Sequence, residues 1–384
     1  MNDLLRPRHG HASEKVSFIE LFFDLVFVFA VTQLSHSLIG HFSLIGAVQT
    51  LILLLAVWWV WIFTAWVTNW LDPEKLPVRC MLLLMMVVGL VLSAAIPGAF
   101  SSRGLAFAGA YVAMQLGRTF FFLWAARGEV GIVPTFQRII CWLGTGSVLW
   151  IIGGFQTGGA RMACWGLALL IEYISPSVGF HVPGLGKSKS TDWQVSGHHM
   201  AERCGLFIII ALGESILVTG ATFSSLEWTT PLIAAFTASV IGSIAMWWLY
   251  FDTASDFGTH VISHSENPGH LARLAYTYLH LFLVAGIILS AAADEFVLAH
   301  PTGHTDAKTA IALLGGAALY LFGNVLFKKA ISGATPWSHL VAIAALGLLG
   351  TAAGHLAPWL LGILTAIVLV TVAWWEHHSH CLRE

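Results

Sequence analysis

Twelve stretches of roughly twenty apolar residues follow one another between Ser17 and Glu376. A helix needs about twenty apolar residues to cross the hydrocarbon of a bilayer. Lipid offers no partner to a bare N–H or C=O, so a crossing chain must satisfy its backbone within each segment, as a helix does. The stretches are 17–38, 44–68, 79–100, 105–126, 136–155 and 161–179, then 200–223, 231–252, 272–297, 309–328, 337–354 and 357–376. The expected fold is therefore all-α, a polytopic membrane protein with about twelve transmembrane helices. Only 10% of the 384 residues carry a formal charge, against about a quarter in soluble domains. That leaves too few ionic groups to cover a water-facing surface.

The basic residues set an orientation. With the N-terminus in the cytoplasm, thirteen of the eighteen Lys and Arg residues fall on inner segments, among them Arg6, Lys15, Arg79, Arg138 and Lys329. Three fall outside (Arg103, Arg161 and Lys308), and Arg118 and Arg203 lie within helices or at a helix start. This is the bias of the positive-inside rule, and it predicts both termini in the cytoplasm.

The two halves echo each other. Trp58-Trp59-Val60-Trp61-Ile62-Phe63-Thr64-Ala65 aligns with Trp247-Trp248-Leu249-Tyr250-Phe251-Asp252-Thr253-Ala254, and Val91-Leu92-Ser93-Ala94-Ala95 with Ile288-Leu289-Ser290-Ala291-Ala292. Glu172-Tyr173 has a rougher echo in Glu376-His377. An even number of spans per unit makes both halves insert the same way round, the parallel-repeat arrangement of several transport proteins. The predicted organisation is a cytoplasmic tail (1–16), a first six-helix repeat (17–180), a cytoplasmic linker (181–198), a second repeat (199–376) and a short cytoplasmic tail (377–384).

Ionisable groups at membrane depth are costly and mark pathways or binding sites. Glu20 and Asp24, four apart, share one face of the first helix. Glu202 opens the seventh helix, and Glu214 lies about halfway along it. Asp252 and Asp256 close the eighth. These six acids are the candidate transport or ion-binding residues, with Arg118, Arg203, His199 and His280 as their charge partners. Gly205, Gly213 and Gly220 on the seventh helix predict a close helix approach there.

Two stretches carry a family resemblance. Phe18 to His36 (FIELFFDLVFVFAVTQLSH) and Glu202 to Ser215 (ERCGLFIIIALGES) resemble the two signatures of the bacterial low temperature requirement protein A (LtrA) family. The likeness runs through nearly the whole chain and implies a polytopic membrane protein of the bacterial plasma membrane. Phe22 to Thr32 is also similar, more faintly, to the first-helix signature of the lysosomal potassium channel family, built of two six-helix units. In that family a serine stands where this chain has Phe23.

The function these features predict is membrane transport, as channel or secondary carrier, of protons, cations or a small solute along a path between the repeats. Glu214 would be the central group, and Glu20, Asp24 and Glu202 an inner vestibule. The alternative is an intramembrane metal-dependent hydrolase acting on lipid, with Asp252, Asp256 and His260 at i, i+4 and i+8 as oxygen and imidazole ligands. His199 with Glu202 adds an i, i+3 pair to that set. The expected partners are membrane lipid and an inorganic cation or small solute, with a homo-oligomer left open. A net charge of −2 and no basic stripe argue against nucleic acid. No cofactor is expected. Four of the five cysteines lie in apolar runs, which argues against a disulfide framework.

Overall fold

Each of the twelve apolar stretches is occupied by helix in the computed structural model, which describes residues 4–6, 15–129, 131–189, 193 and 195–381. The side chains of 253, 254, 256, 257, 380 and 381 lie outside that description, so the expected role of Asp256 does too. The helices are α1 (Phe18–Gly40), α2 (Leu44–Trp70), α3 (Leu76–Ala95), α4 (Gly104–Ala125), α5 (Val133–Phe155), α6 (Gly158–Ile174), α7 (Gly197–Ser224) and α8 (Thr230–Tyr250). After them come α9 (Asp256–Ser263), α10 (Pro268–Leu271), α11 (His280–Ala299), α12 (Ala307–Ser332), α13 (Trp337–Ala352) and α14 (Pro358–Cys381). Among the described residues there are isolated β-bridges but no strands.

Among the described residues, ten helical segments are long and apolar enough, by length and composition, to cross a membrane. The expectation of about twelve thus stands at ten by this measure. The two remaining helices are α4, which carries Gln115 and Arg118, and α6, which has 17 residues and carries Arg161 and Glu172. Arg161, expected in an outer loop, lies in the first turn of α6 and is 3% exposed. Its guanidinium donates to the carbonyls of Ala99, Ser101, Gly153 and Gln156. It thereby ties together carbonyls at the end of α5 and in the turn before α4, where helical N–H donors run out.

The chain divides into two compact units, residues 1–203 with 266–270, and residues 204–265 with 271–384. The division falls between Arg203 and Cys204, inside α7. In the first unit α2 is the central element. Twenty of its 27 residues are buried, and Trp58, Trp59 and Trp61 are fully enclosed. It packs on α1, α4 and α6, and α3·α4, α4·α5 and α5·α6 complete the bundle. In the second unit α8 packs on α14, and α11·α12, α12·α13 and α13·α14 follow in order. Large apolar side chains such as Leu44, Leu84, Leu217 and Leu348 remain exposed on the helices, as a surface solvated by lipid requires.

The close approach expected at Gly213 and Gly220 is not found there, since a Cβ at either position would meet no atom within 4 Å. The tight crossing is α11 on α12. A Cβ on Gly286 would come within 2.6 Å of the Tyr320 backbone, and one on Gly316 within 2.6 Å of the Ser290 hydroxyl. Around α11 the backbone widens into π-helical turn at Ala272–Leu279, as it does at Phe251–Ser255 after α8. A π turn shifts hydrogen-bond register. Here the Ala275 carbonyl accepts instead from His280 Nδ1, at 2.9 Å.

Candidate functional site

The first unit gathers two acids and two arginines around the start of α1. Ser17 and Glu20 have the spacing of a capping box, and Glu20 Oε2 accepts from both the Ser17 N–H and its hydroxyl at 2.9 Å. The segment before the helix pairs back along the end of α2, with Arg6 N donating to Trp70 O and Asp72 N to Leu4 O. That pairing brings the Arg6 guanidinium to 2.9 Å from Glu20. Arg203, on α7, reaches Glu20 at 3.3 Å and Asp24 at 2.7 Å. The Trp61 indole donates to the same Asp24 oxygen at 2.9 Å, and Arg203 lies over the Trp61 ring. Glu20, Asp24, His199 and Arg203 are each 0% exposed.

Three groups face the ring nitrogens of His199. Asn69 Oδ1 accepts from Ser196 N and its Nδ2 donates to Ser196 O, so the amide nitrogen faces His199 Nδ1 at 3.2 Å as a donor. Nδ1 is thereby placed as an acceptor, and Nε2 lies 2.9 Å from Glu20 Oε1 and 3.1 Å from the Arg6 guanidinium. With His199 neutral, two carboxylates face two guanidiniums and the cluster is charge-balanced. Glu202 stands apart from it. Its side chain is 37% exposed and accepts from Val16 N at 3.0 Å.

A second polar group crosses the first unit as a directed chain. Arg118 donates to the Val60 carbonyl, to Thr64 and to Gln115 Oε1. Gln115 Nε2 donates to the Tyr111 hydroxyl at 2.9 Å, and Tyr111 donates in turn to Glu172. Trp150 Nε1 closes the chain on the other Glu172 oxygen at 3.1 Å. Each dipole points the same way, from cation to anion, and such chains polarise one another. Gly146 makes room for the carboxylate, because a Cβ there would lie 2.6 Å from Glu172 Oε1.

In the second unit the acids are separated. Glu214 is 1% exposed, deep within the 28-residue α7. His280 Nδ1 is held as donor by the Ala275 carbonyl, so its Nε2 accepts from the Tyr250 hydroxyl at 2.8 Å. Glu376 accepts from Lys328 at 2.8 Å and from Ser338. Asp252 pairs with His377 at 3.0 Å near the surface. Among the described residues no three His, Cys, Asp or Glu side chains are grouped to hold a metal ion. Neither Arg6, Trp61, Asn69 nor Tyr111 stands out in the sequence. Asp294, 6% exposed on α11, does not either, though a lone acid within an apolar run is the same signal that picks out Glu214.

The chain matches, over residues 15–374, the family described as bacterial low temperature requirement A protein (LtrA). It is 42% identical over 366 residues to a protein of Rhizobium meliloti (strain 1021) named only as uncharacterised. That alignment covers 94% of this chain and 89% of the relative. No solved structure matches.

Proposed function

The chain belongs to the bacterial low temperature requirement A protein family, and from that premise we propose that it is a transport protein of the plasma membrane, moving protons, a cation or a small solute, with Glu214 at its centre. The observation that carries this reading is the burial of Glu214, at 1% exposure, in the middle of an apolar helix. An ionised carboxylate there costs several kcal/mol in lost hydration. A proton or a cation removes that cost, and exchange of one for the other or for a vacant state is the elementary step of transport.

The repeat belongs to the same proposal. The pairings α2·α6, α3·α4, α4·α5 and α5·α6 of the first unit recur in the second as α8·α14, α11·α12, α12·α13 and α13·α14. This order supports duplication of a six-helix unit with both copies inserted in the same sense, and hence both termini in the cytoplasm. Glu20 and Asp24, expected to line a vestibule, are assigned a holding role instead, because Arg6 and Arg203 neutralise them and neither is exposed.

Purified protein in liposomes, with internal pH, potassium and sodium followed under imposed gradients, tests the proposal. Wild type should dissipate at least one gradient, and folded Glu214→Gln should not. Equal flux in both would remove Glu214 from the mechanism, and no flux in folded wild type would remove ion transport.

A further inference from the structure

Inside the second unit, α7, α8, α11, α12 and α14 enclose a cavity of about 30 Å³. Its polar lining is one acid, Asp294, and five hydroxyls, those of Ser215, Ser239, Ser243, Ser290 and Thr365. The rest of the wall is glycine and apolar side chains, among them Ala238, Ile287, Leu313 and Leu369. Asp294 lies five residues before Ala299, the end of α11, or roughly 7.5 Å along the helix axis. The residue is only 6% exposed, and among the described residues no Lys, Arg or His forms an ion pair with it.

One hydroxyl has its proton directed away from the cavity. The Thr365 proton goes to the Leu361 carbonyl at 2.9 Å, which leaves its lone pairs for the cavity. Ser239 lies beside the Asp294 carboxylate. Ser290 Oγ is enclosed without a hydrogen-bond partner in the protein, and a buried hydroxyl is costly to leave unmet unless something in the cavity meets it. Gly316, whose Cβ would press on that oxygen at 2.6 Å, keeps the position open.

Six residues thus offer up to seven oxygens, with the thioether of Met246 as the one softer atom in the wall, around a volume that fits one small ion or one water. Hard cations take such oxygen sets. A single negative charge in an apolar bundle is balanced by one positive charge, whereas a divalent ion would leave one unit uncompensated in a medium where isolated charge is expensive. We propose that Asp294, with Ser215, Ser239, Ser243, Ser290 and Thr365, forms a binding site for a monovalent cation of sodium's size. On the transport reading, from which the assignment takes its role but not its geometry, sodium is the transported or coupling ion.

The test is sodium binding to the intact protein in detergent, measured by calorimetry and by the shift of thermal unfolding as NaCl replaces choline chloride at constant ionic strength. Wild type should bind saturably, with potassium and lithium weaker. Asp294→Asn should abolish the shift, and Ser290→Ala or Ser239→Ala, which keep the charge and fold more safely, should weaken binding about tenfold. No saturable sodium effect on wild type would overturn the site and leave a water-filled cavity. An effect unchanged by both serine variants would overturn it as well. Sodium binding without flux would remove transport but keep the site. Flux dependent on Glu214 without sodium binding would keep transport and remove the site.

Discussion

Helices α2 and α8 share a paired-tryptophan motif and differ in almost everything the motif does. Trp58 and Trp59 are fully enclosed, and 89% of the most apolar window of α2 is buried; Trp247 and Trp248 are 44% and 40% exposed, and the corresponding figure for α8 is 39%. The polar groups differ in parallel. In the first unit Glu172 ends a buried chain through Tyr111, Gln115 and Arg118, and Glu20 and Asp24 are held by Arg6 and Arg203. In the second unit Tyr320 and Asn324 repeat the four-residue spacing of Tyr111 and Gln115, yet Tyr320 turns to the Met246 carbonyl. Glu376 there pairs directly with Lys328, whose side chain is 9% exposed. The lesson is that a repeated helix order does not repeat its chemistry. One unit gathers its buried acids into networks that end on arginines, and the other buries Glu214 and Asp294 on separate helices.

If that contrast is right, the largest stability effect belongs to Arg203. Arg203→Met leaves Asp24 buried without its guanidinium and should cost about 3–5 kcal/mol, read as lowered thermal unfolding in detergent. Adding Glu20→Gln and Asp24→Asn should recover most of it, since the stranded charges then disappear. Glu172→Gln should cost less, about 1–3 kcal/mol, because it weakens the acceptor for Tyr111 and Trp150 while Arg118 keeps its neutral acceptors Val60, Thr64 and Gln115. A loss as large as that of Arg203→Met would show that the chain, not the ion cluster, holds the first unit.

Smaller effects belong to the second unit's ends. Asp306 caps α12 by accepting from Thr309 N at 2.8 Å, and Asp306→Ala should cost about 1 kcal/mol. The Thr309 side chain and backbone N–H hold its carboxyl below the usual value of 3.8. The folded state therefore favours the ionised form. The advantage over Asp306→Ala is present above the ordinary carboxylate pKa and should vanish as pH falls through the folded value, which acid titration of both proteins would read. Asp252→Asn, at a partly exposed pair with His377, should change stability by less than about 1 kcal/mol.

Much of the helix layout was legible because apolar run length is a local property. Ser17-x-x-Glu20 even spelled out the start of α1. What escaped were partners distant in sequence. Arg6 meets Glu20 only because residues 4–6 pair with the end of α2, and Asn69 orients His199 across 130 positions. Arg203 could be guessed as a neutraliser from its sign, but Trp61, which holds the same Asp24 oxygen, reads in sequence as ordinary core. The π turn before His280 was invisible, because apolar run length does not register a local change of hydrogen-bond register. The glycines of α7 misled for a related reason. Small residues permit close approach, and only the packing decides whether a helix takes the offer, as α11 and α12 do.

The most direct measurement sets the two units against each other in one flux assay. Liposomes would carry either Glu214→Gln or the neutralised cluster of Glu20→Gln, Asp24→Asn and Arg203→Met, each first shown to be folded. Flux retained by the neutralised cluster and lost in Glu214→Gln is the predicted result. Flux retained in Glu214→Gln and lost with the cluster would place the pathway in the first unit and contradict the division of roles.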